Sequence, residues 1–131
     1  MRHGVEVALE AHNRRDLAVA FALLHEHCES TFPAQMGGLG SASGTRGREE
    51  RLQFHRRFLD EWGEYRLEPE ELIDAGKRLL VVGRMKGTGL SSGAVFDNEW
   101  ALLTTISAGQ VIRERIFLDH GQALEAVGLL E

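Results

Sequence analysis

Residues 94–119 read AVFDNEWALLTTISAGQVIRERIFLD, and this stretch decides the fold. Its two apolar segments, 94–107 and 110–119, are joined only by Ala108 and Gly109. Two β-rich segments separated by so short a connection are typical of a β-hairpin. The stretch therefore predicts two neighbouring antiparallel strands near the end of the chain.

Two further β-rich segments precede this hairpin, at about 64–74 and 78–87. Residues 75–76 separate them, and the glycine-rich run 87–93 connects them to the hairpin. Three successive short connections favour an antiparallel meander over alternating βαβ units, which need long crossovers.

The N-terminal part of the chain carries helical signals instead. Apolar residues at helical spacing predict helices over 5–13 and 17–27, with Asp16 as the N-cap of the second. A short strand is expected over 28–33. The segment 34–47 contains five glycines and is predicted to be a flexible connection that acts as a lid.

A third helix is predicted from Arg48 to about Trp62, with a wide apolar stripe, and a short closing helix over about 121–127 follows Asp119. No internal repeat or second linker interrupts the pattern. The sequence thus predicts one α+β domain over 1–131, in which N-terminal helices wrap a curved, mostly antiparallel sheet around a pocket.

The segment 94–107 is apolar on both faces, because Phe96, Trp100 and Leu102 alternate with Ala101 and Leu103. An antiparallel strand with one solvent-exposed face alternates between apolar and polar residues, so both faces of this strand must be buried. The helices bury one face. We expect a second subunit to bury the other, in a homodimer that pairs through the outer face of the sheet.

Composition narrows the class of protein. The 131 residues are 43% hydrophobic and carry 20 acidic and 15 basic side chains, a net charge of −5, which argues against nucleic acid as a partner. No apolar run reaches the roughly 20 residues that a membrane-spanning helix needs. The single cysteine, Cys28, has no internal disulfide partner, and a reducing cytoplasm is the expected location.

A family resemblance is carried by several segments in order: NRRDL (13–17), GRE (47–49), RLEPEELIDAG (66–76), RMKGTG (84–89) with SG (92–93), and Gly109, Arg113, Arg115 and FLD (117–119) running into QALE (122–125). Together these segments resemble the SnoaL-like polyketide cyclase family of the nuclear-transport-factor-two-like superfamily. The resemblance covers nearly the whole chain. It implies a conical, cystatin-like roll with a pocket between sheet and helices, often dimeric through the outer sheet face.

Asp119 is the leading catalytic candidate. Strict alternation in the last strand puts Arg113, Arg115, Phe117 and Asp119 on one face, and the resemblance implies that this face looks into the pocket. In SnoaL-like cyclases and related epoxide hydrolases, an aspartate at the matching place acts as general acid/base. Alternatively, Asp119 caps the closing helix. The sequence leaves both readings open.

Arg84 is the second catalytic candidate, because the epoxide-hydrolase pattern on this strand reads Arg, any residue, Asp. Here Lys86 takes the place of the aspartate, so the water-activating pair of such a hydrolase is not expected. Arg84 either polarises a substrate or faces solvent. Glu99 is a replacement acid that pairs with Arg115 in the pocket, or the two form a structural ion pair.

Large apolar side chains on converging elements form a predicted pocket wall: Phe32, Phe58, Trp62, Met85, Trp100 and Phe117. With Glu99 and Arg115 they are the predicted ligand-binding residues, suited to a small apolar or aromatic molecule. The same side chains also suit a filled core.

Three other signals carry less weight. His25–Cys28 contains metal-ligand residue types at the predicted end of a helix, where adjacent side chains diverge, so no metal site is expected. His55 lies on the apolar stripe of the third helix, either as a hydrogen-bonded core residue or as a base facing the pocket. A ketosteroid-isomerase scheme needs a base and two proton donors. Tyr65 is the only tyrosine, and no protonated acid can be placed next to it from the sequence, so this activity is not expected.

Two functions follow from these observations. The first is a SnoaL-like small-molecule binder that performs cofactor-independent acid/base chemistry of the cyclase, isomerase or hydrolase type with Asp119. The alternative is a non-catalytic dimeric module that binds a ligand or a protein.

Overall fold

The computed structural model describes residues 2–33, 44–90 and 92–128. The helices and strands within these ranges are α1 (Arg2–Asn13), α2 (Leu17–Ala20), β1 (Leu24–Thr31), β2 (Gly44–Arg46), α3 (Arg48–Leu59), β3 (Trp62–Ala75), β4 (Arg78–Gly89), β5 (Val95–Ser107), β6 (Gln110–Phe117) and α4 (His120–Ala126).

The six strands form one curved sheet in the order β2-β1-β6-β5-β4-β3. The meander β3 to β6 is antiparallel throughout, whereas β1 pairs with β6 in parallel. The predicted α+β fold with a mostly antiparallel sheet is confirmed. None of the helices in the described ranges is long and apolar enough to cross a membrane.

Helices α1 and α3 cover the inner face of the sheet. On α1, Val5, Leu9 and His12 are buried on one stripe because they are separated by four and three residues. At the end of α1, the Asn13 side chain accepts a hydrogen bond from the backbone nitrogen of Leu67 and donates one to its oxygen, both at 2.8 Å. These two bonds fix α1 against the middle of β3.

The predicted helix over 17–27 is wrong beyond its first turn. Asp16 caps α2 as expected, but α2 ends at Ala20, and β1 begins at Leu24. Leu24 and Cys28, four residues apart, are both buried, and a spacing of four keeps two residues on one face of a strand as well as of a helix. This spacing alone therefore does not distinguish the two.

The other elements lie close to their predicted positions. Helix α3 ends at Leu59 rather than near Trp62, which instead opens β3. The strands of the meander differ from the predicted ranges by a few residues at their ends. Most of the predicted lid, 34–43, lies outside the described residues, while its end forms β2.

The outer face of the sheet is partly covered by the chain itself. Leu80, Val82, Ala101, Leu103 and Phe117 form a buried cluster on this face, packed against Ala123 and neighbouring residues of α4. The second cover expected from another subunit is thus supplied by α4 over this cluster. The homodimer stays a prediction.

Candidate functional site

A cavity of about 70 Å³ lies between α1, α3, β1 and the inner face of the sheet. Most of its lining is apolar and includes Leu9, Phe54, Phe58 and Trp100. The polar and charged lining residues are His12, Arg51, His55, Tyr65, Thr104 and Glu114. Such a mixture, mainly apolar with a few converging polar groups, is typical of a small-molecule site.

Two imidazoles and a phenol form one part of this polar lining. The rings of His12 and His55 are 4.3 Å apart at their centroids, and Nε2 of His12 is hydrogen-bonded to the hydroxyl of Tyr65 at 3.4 Å. Nε2 of His55 is buried and has no hydrogen-bond partner among the described residues. A buried polar atom of this kind is a natural contact for a ligand.

Burial keeps all three groups neutral. It lowers the pKa of His12 to about 3, assisted by the positive charges of Arg51 and Arg15. The pKa of His55 is lowered first by burial and then by His12 and the same arginines. Burial raises the pKa of Tyr65. Near pH 7 the cavity therefore presents neutral imidazoles and a neutral phenol, which both donate and accept hydrogen bonds.

A buried ion pair forms the other part of the lining. Arg51 Nε donates to Glu114 Oε1 at 2.6 Å, and the hydroxyl of Ser30 donates to the same oxygen at 2.8 Å. Each charged side chain is only 6% exposed. Arg51 Nη1 is buried and without a partner among the described residues.

Phenylalanine rings surround the Arg51 guanidinium. Its central carbon lies 4.8 Å from the ring centroid of Phe21, 5.0 Å from that of Phe32 and 5.8 Å from that of Phe54. The faces of aromatic rings attract cations, so this collar stabilises the buried charge and holds the guanidinium in place.

Asp119 is not among the residues that line the cavity. Its Oδ1 accepts a hydrogen bond of 2.9 Å from the backbone nitrogen of Gln122, which makes it the N-cap of α4. The expectation that its strand face looks into the pocket is wrong, because Glu114 and Ile116 of β6 line the cavity. Its catalytic role stays a prediction.

The physical reason is a bulge in β6. Val111 pairs with Ile106 and Arg113 with Thr105, so Ile112 is an extra residue between them. Val111 faces inward, and strict alternation from it would put Arg113 inward as well. The extra residue reverses the alternation and brings Glu114 inward instead.

Replacing Asp119 by alanine is expected to lower the free energy of unfolding by about 1 kcal/mol, the usual cost of losing a side-chain N-cap. The contact with Gln122 is the reason, and Asp119→Asn is the control because asparagine retains the capping oxygen. Urea unfolding measures both variants. Equal stability of Asp119→Ala and the wild type would contradict this capping role.

The other predicted polar site residues lie away from the cavity. Arg84 forms a 2.6 Å ion pair with Asp97 and is partly exposed. Glu99 accepts a hydrogen bond from the backbone nitrogen of His120, and the Arg115 guanidinium lies over the Phe117 ring at 4.6 Å. Within the described part of the chain, no ion pair joins Glu99 to Arg115, so the expected pairing is wrong.

The predicted aromatic wall divides into three groups. Phe58 and Trp100 line the cavity. Phe32 and Met85 belong to the same inner core and the partly buried Trp62 packs against it, but none of the three is among the residues that line the cavity. Phe117 packs on the opposite face of the sheet under α4. The prediction that Phe117 belongs to the pocket wall is wrong, because the bulge in β6 turns the face that carries Phe117 away from the cavity.

The segment His25–Cys28 belongs to β1, not to the end of a helix. Within the described ranges, no three histidine, cysteine, aspartate or glutamate residues are grouped so that they could hold a metal ion. Burial raises the pKa of the Cys28 thiol to about 11, so the thiol is protonated near pH 7.

His12, Arg51 and Glu114 line the cavity but were not among the site residues predicted from the sequence. Arg51 lies three, four and seven residues before Phe54, His55 and Phe58, and this spacing places it on the same helix face. That spacing was an available signal. No comparable signal identified Glu114, because the bulge in β6 is not visible in the sequence.

Several known proteins are similar to this chain. The model of the SnoaL-like domain family matches residues 5–114. Among solved structures, the chain is similar to an NTF2-like protein of unknown function from Burkholderia pseudomallei K96243, with 24% identity over 97% of this chain and 96% of that chain and a TM-score of 0.82. No curated protein sequence matches the chain.

Two further solved structures are similar to the chain over nearly its whole length. An NTF2-like protein from Burkholderia thailandensis E264 has 26% identity over 98% of this chain and 95% of that chain, with a TM-score of 0.80. TerC, co-crystallised with polyporic acid, has 22% identity over 95% of each chain and also a TM-score of 0.80.

Helices packed on the inner face of a mostly antiparallel sheet, with a cavity between them, define an NTF2-like protein. Within that class, the family model covers most of the chain, and the protein belongs to the SnoaL-like domain family.

Proposed function

We propose that the protein binds a small apolar or aromatic molecule in the cavity and catalyses proton transfer at a carbon next to a carbonyl group. The proposal is carried by one observation: the unpartnered Nε2 of His55 and the hydrogen-bonded pair of His12 and Tyr65 line the same mainly apolar cavity. This chemistry underlies isomerisation and aldol-type ring closure, and it needs no cofactor.

His55 is the proposed acid/base group. Its Nε2 accepts the proton as the carbon–hydrogen bond breaks, and the electron pair moves into the carbonyl to give an enolate. The Tyr65 hydroxyl and the His12 ring, which line the same cavity, are the proposed donors for that oxygen. Donors held in a low-dielectric site stabilise developing negative charge more strongly than water does. Return of the proton to another carbon, or attack of the enolate on a second carbonyl, completes the reaction.

The low pKa of His55 limits the substrate. A buried imidazole that resists protonation is a weak base, so the carbon acid must itself be activated. A carbon between two carbonyl groups meets this requirement. The forming enolate also lies beside the forming imidazolium, and opposite charges that appear together favour each other.

The size of the cavity limits the ligand as well. Pockets for drug-sized ligands have volumes of roughly 300–1,000 Å³, whereas this cavity holds about 70 Å³. The ligand is therefore a small molecule, or side chains of the lining move when a larger one binds. Small probes are the appropriate ones for a first test.

The test uses acetylacetone, a small 1,3-diketone, in deuterated buffer, with deuterium uptake at its central carbon followed by nuclear magnetic resonance. The wild type is expected to accelerate uptake about a hundredfold over buffer at the same pD, the lower end of the usual effect of a positioned acid/base group. His55→Gln is expected to abolish the acceleration. Tyr65→Phe is expected to reduce it, because it removes only one donor.

Asp119→Asn is the matched control in this experiment. It changes the acid/base candidate of the last strand and keeps the cap of α4. Full acceleration in this variant, with loss in His55→Gln, assigns the chemistry to the cavity. The reverse pattern would assign it to Asp119 and overturn the role of His55. No acceleration by the wild type would overturn the proposed reaction.

The second proposed function is the non-catalytic, dimeric binding module. The narrowness of the cavity supports it, because the protein's own side chains fill most of the inner core. Val95 of β5 is 81% exposed on the uncovered part of the outer face, which a homodimer would bury. Sedimentation of the wild type and of Val95→Asp tests the dimer, and a wild type that stays monomeric at high concentration would contradict it.

A further inference from the structure

We propose that the ligand of the cavity carries a carboxylate and that Arg51 binds it through Nη1. This inference rests on the proposed ligand-binding function and goes further, because it names the chemical class of the ligand. It assigns Arg51 a role in binding that is separate from its ion pair.

The geometry of Arg51 leaves a donor for such a ligand. Glu114 and Arg51 are joined through Nε at 2.6 Å, while Nη1 is buried and unpartnered among the described residues. The Arg51 side chain is 94% buried, since its exposed fraction is 6%. The planar guanidinium presents its donors in a fixed fork that matches a carboxylate. An open donor on a buried cation in the lining of a cavity favours an anionic partner.

The surroundings of Arg51 fix its position before a ligand binds. Phe21, Phe32 and Phe54 lie around the guanidinium, and the Nε contact holds its other side. Phe21 and Phe54 also line the cavity, so the apolar part of a carboxylic acid would contact rings next to its charged group. A preorganised donor loses little conformational freedom on binding.

Butanoate and butanamide test the inference, because they have nearly the same shape and only the first is charged. The fluorescence of Trp100, which lines the cavity, reports binding. Near pH 6 we expect butanoate to bind at least about tenfold more tightly than butanamide.

The double variant Arg51→Met/Glu114→Gln removes both charges of the ion pair and so leaves no unpaired buried charge. We expect it to bind both probes equally, and a retained preference for butanoate would overturn the role of Arg51. Equal binding of the two probes by the wild type would also overturn the inference. If the wild type still accelerates deuterium uptake by acetylacetone when one of these outcomes is found, the proposed function stands without the carboxylate inference.

Discussion

Replacing Glu114 by alanine is expected to lower the free energy of unfolding by about 3–5 kcal/mol, the usual cost of removing one partner of a buried ion pair. The loss arises because Arg51 would remain charged in a site where its side chain is only 6% exposed. Ser30 would lose its acceptor as well. Urea unfolding followed by circular dichroism measures the change.

The exposed pair of Arg84 and Asp97 provides a matched control. Its Nε to Oδ1 distance is 2.6 Å, the same as that between Arg51 and Glu114, but the two side chains are 34% and 50% exposed. Water solvates the remaining charge when one partner of an exposed pair is removed. Asp97→Ala is therefore expected to cost a small fraction of what Glu114→Ala costs.

The double variant Arg51→Met/Glu114→Gln separates the cost of an unpaired buried charge from the contribution of the ion pair itself. It removes the buried charges together, and replacement of a buried pair by neutral residues is often close to neutral for stability. We expect it to be more stable than Glu114→Ala. A double variant as unstable as the single one would show that the pair contributes more than mutual neutralisation.

Stability is expected to fall steeply in mild acid. In the folded protein the pKa of His12 is about 3 and that of His55 is also lowered, whereas an unfolded histidine titrates near 6.5. Below that value the unfolded chain binds more protons than the folded one. The stabilisation is therefore complete above about pH 6.5 and is lost as the pH falls from there towards the folded pKa values.

The expected size of this effect is roughly 4 kcal/mol between about pH 7 and pH 5 for the two histidines together. Urea unfolding at several pH values measures it. His12→Gln is expected to reduce the slope by about half, because one histidine is removed. The same stability at both pH values would contradict the burial of neutral imidazoles.

The sheet was largely predictable because its boundaries are set locally. Short connections such as Ala75-Gly76 and Ala108-Gly109 separate β-rich segments, and hairpins of this kind depend on neighbouring residues only. Gly76, Ala108 and Gly109 adopt positive φ angles in the turns. The end of α1 was predictable for a similar reason, because Asp16 caps the following turn.

Features that depend on pairing between distant segments were not predictable from local pattern. The parallel pairing of β1 with β6 makes 24–31 a strand, whereas the spacing of Leu17, Phe21 and Leu24 predicts a helix that runs into it. The extra residue Ile112 reverses the face of the end of β6, and this single change moves Asp119 out of the expected site and Glu114 into it.

The polar lining of the cavity was only partly predictable. The sequence left two interpretations of His55 open, because its place on the apolar stripe of α3 fits a core residue and a base equally well. Its contact with His12 brings together residues 43 positions apart in the sequence, and only the packing of α1 against α3 decides it. Arg51 shares that stripe, but a charged residue there is ordinarily read as exposed.

We propose that the functional site is the cavity between α1, α3 and the sheet rather than the capped corner before α4. Titration of isotope-labelled protein with acetylacetone, followed by nuclear magnetic resonance, tests this location most directly. We predict that the largest shifts occur at the rings of His12 and His55, the amide of Tyr65 and the indole of Trp100. Shifts confined to Asp119 and its neighbours, or no shifts at all, would contradict it.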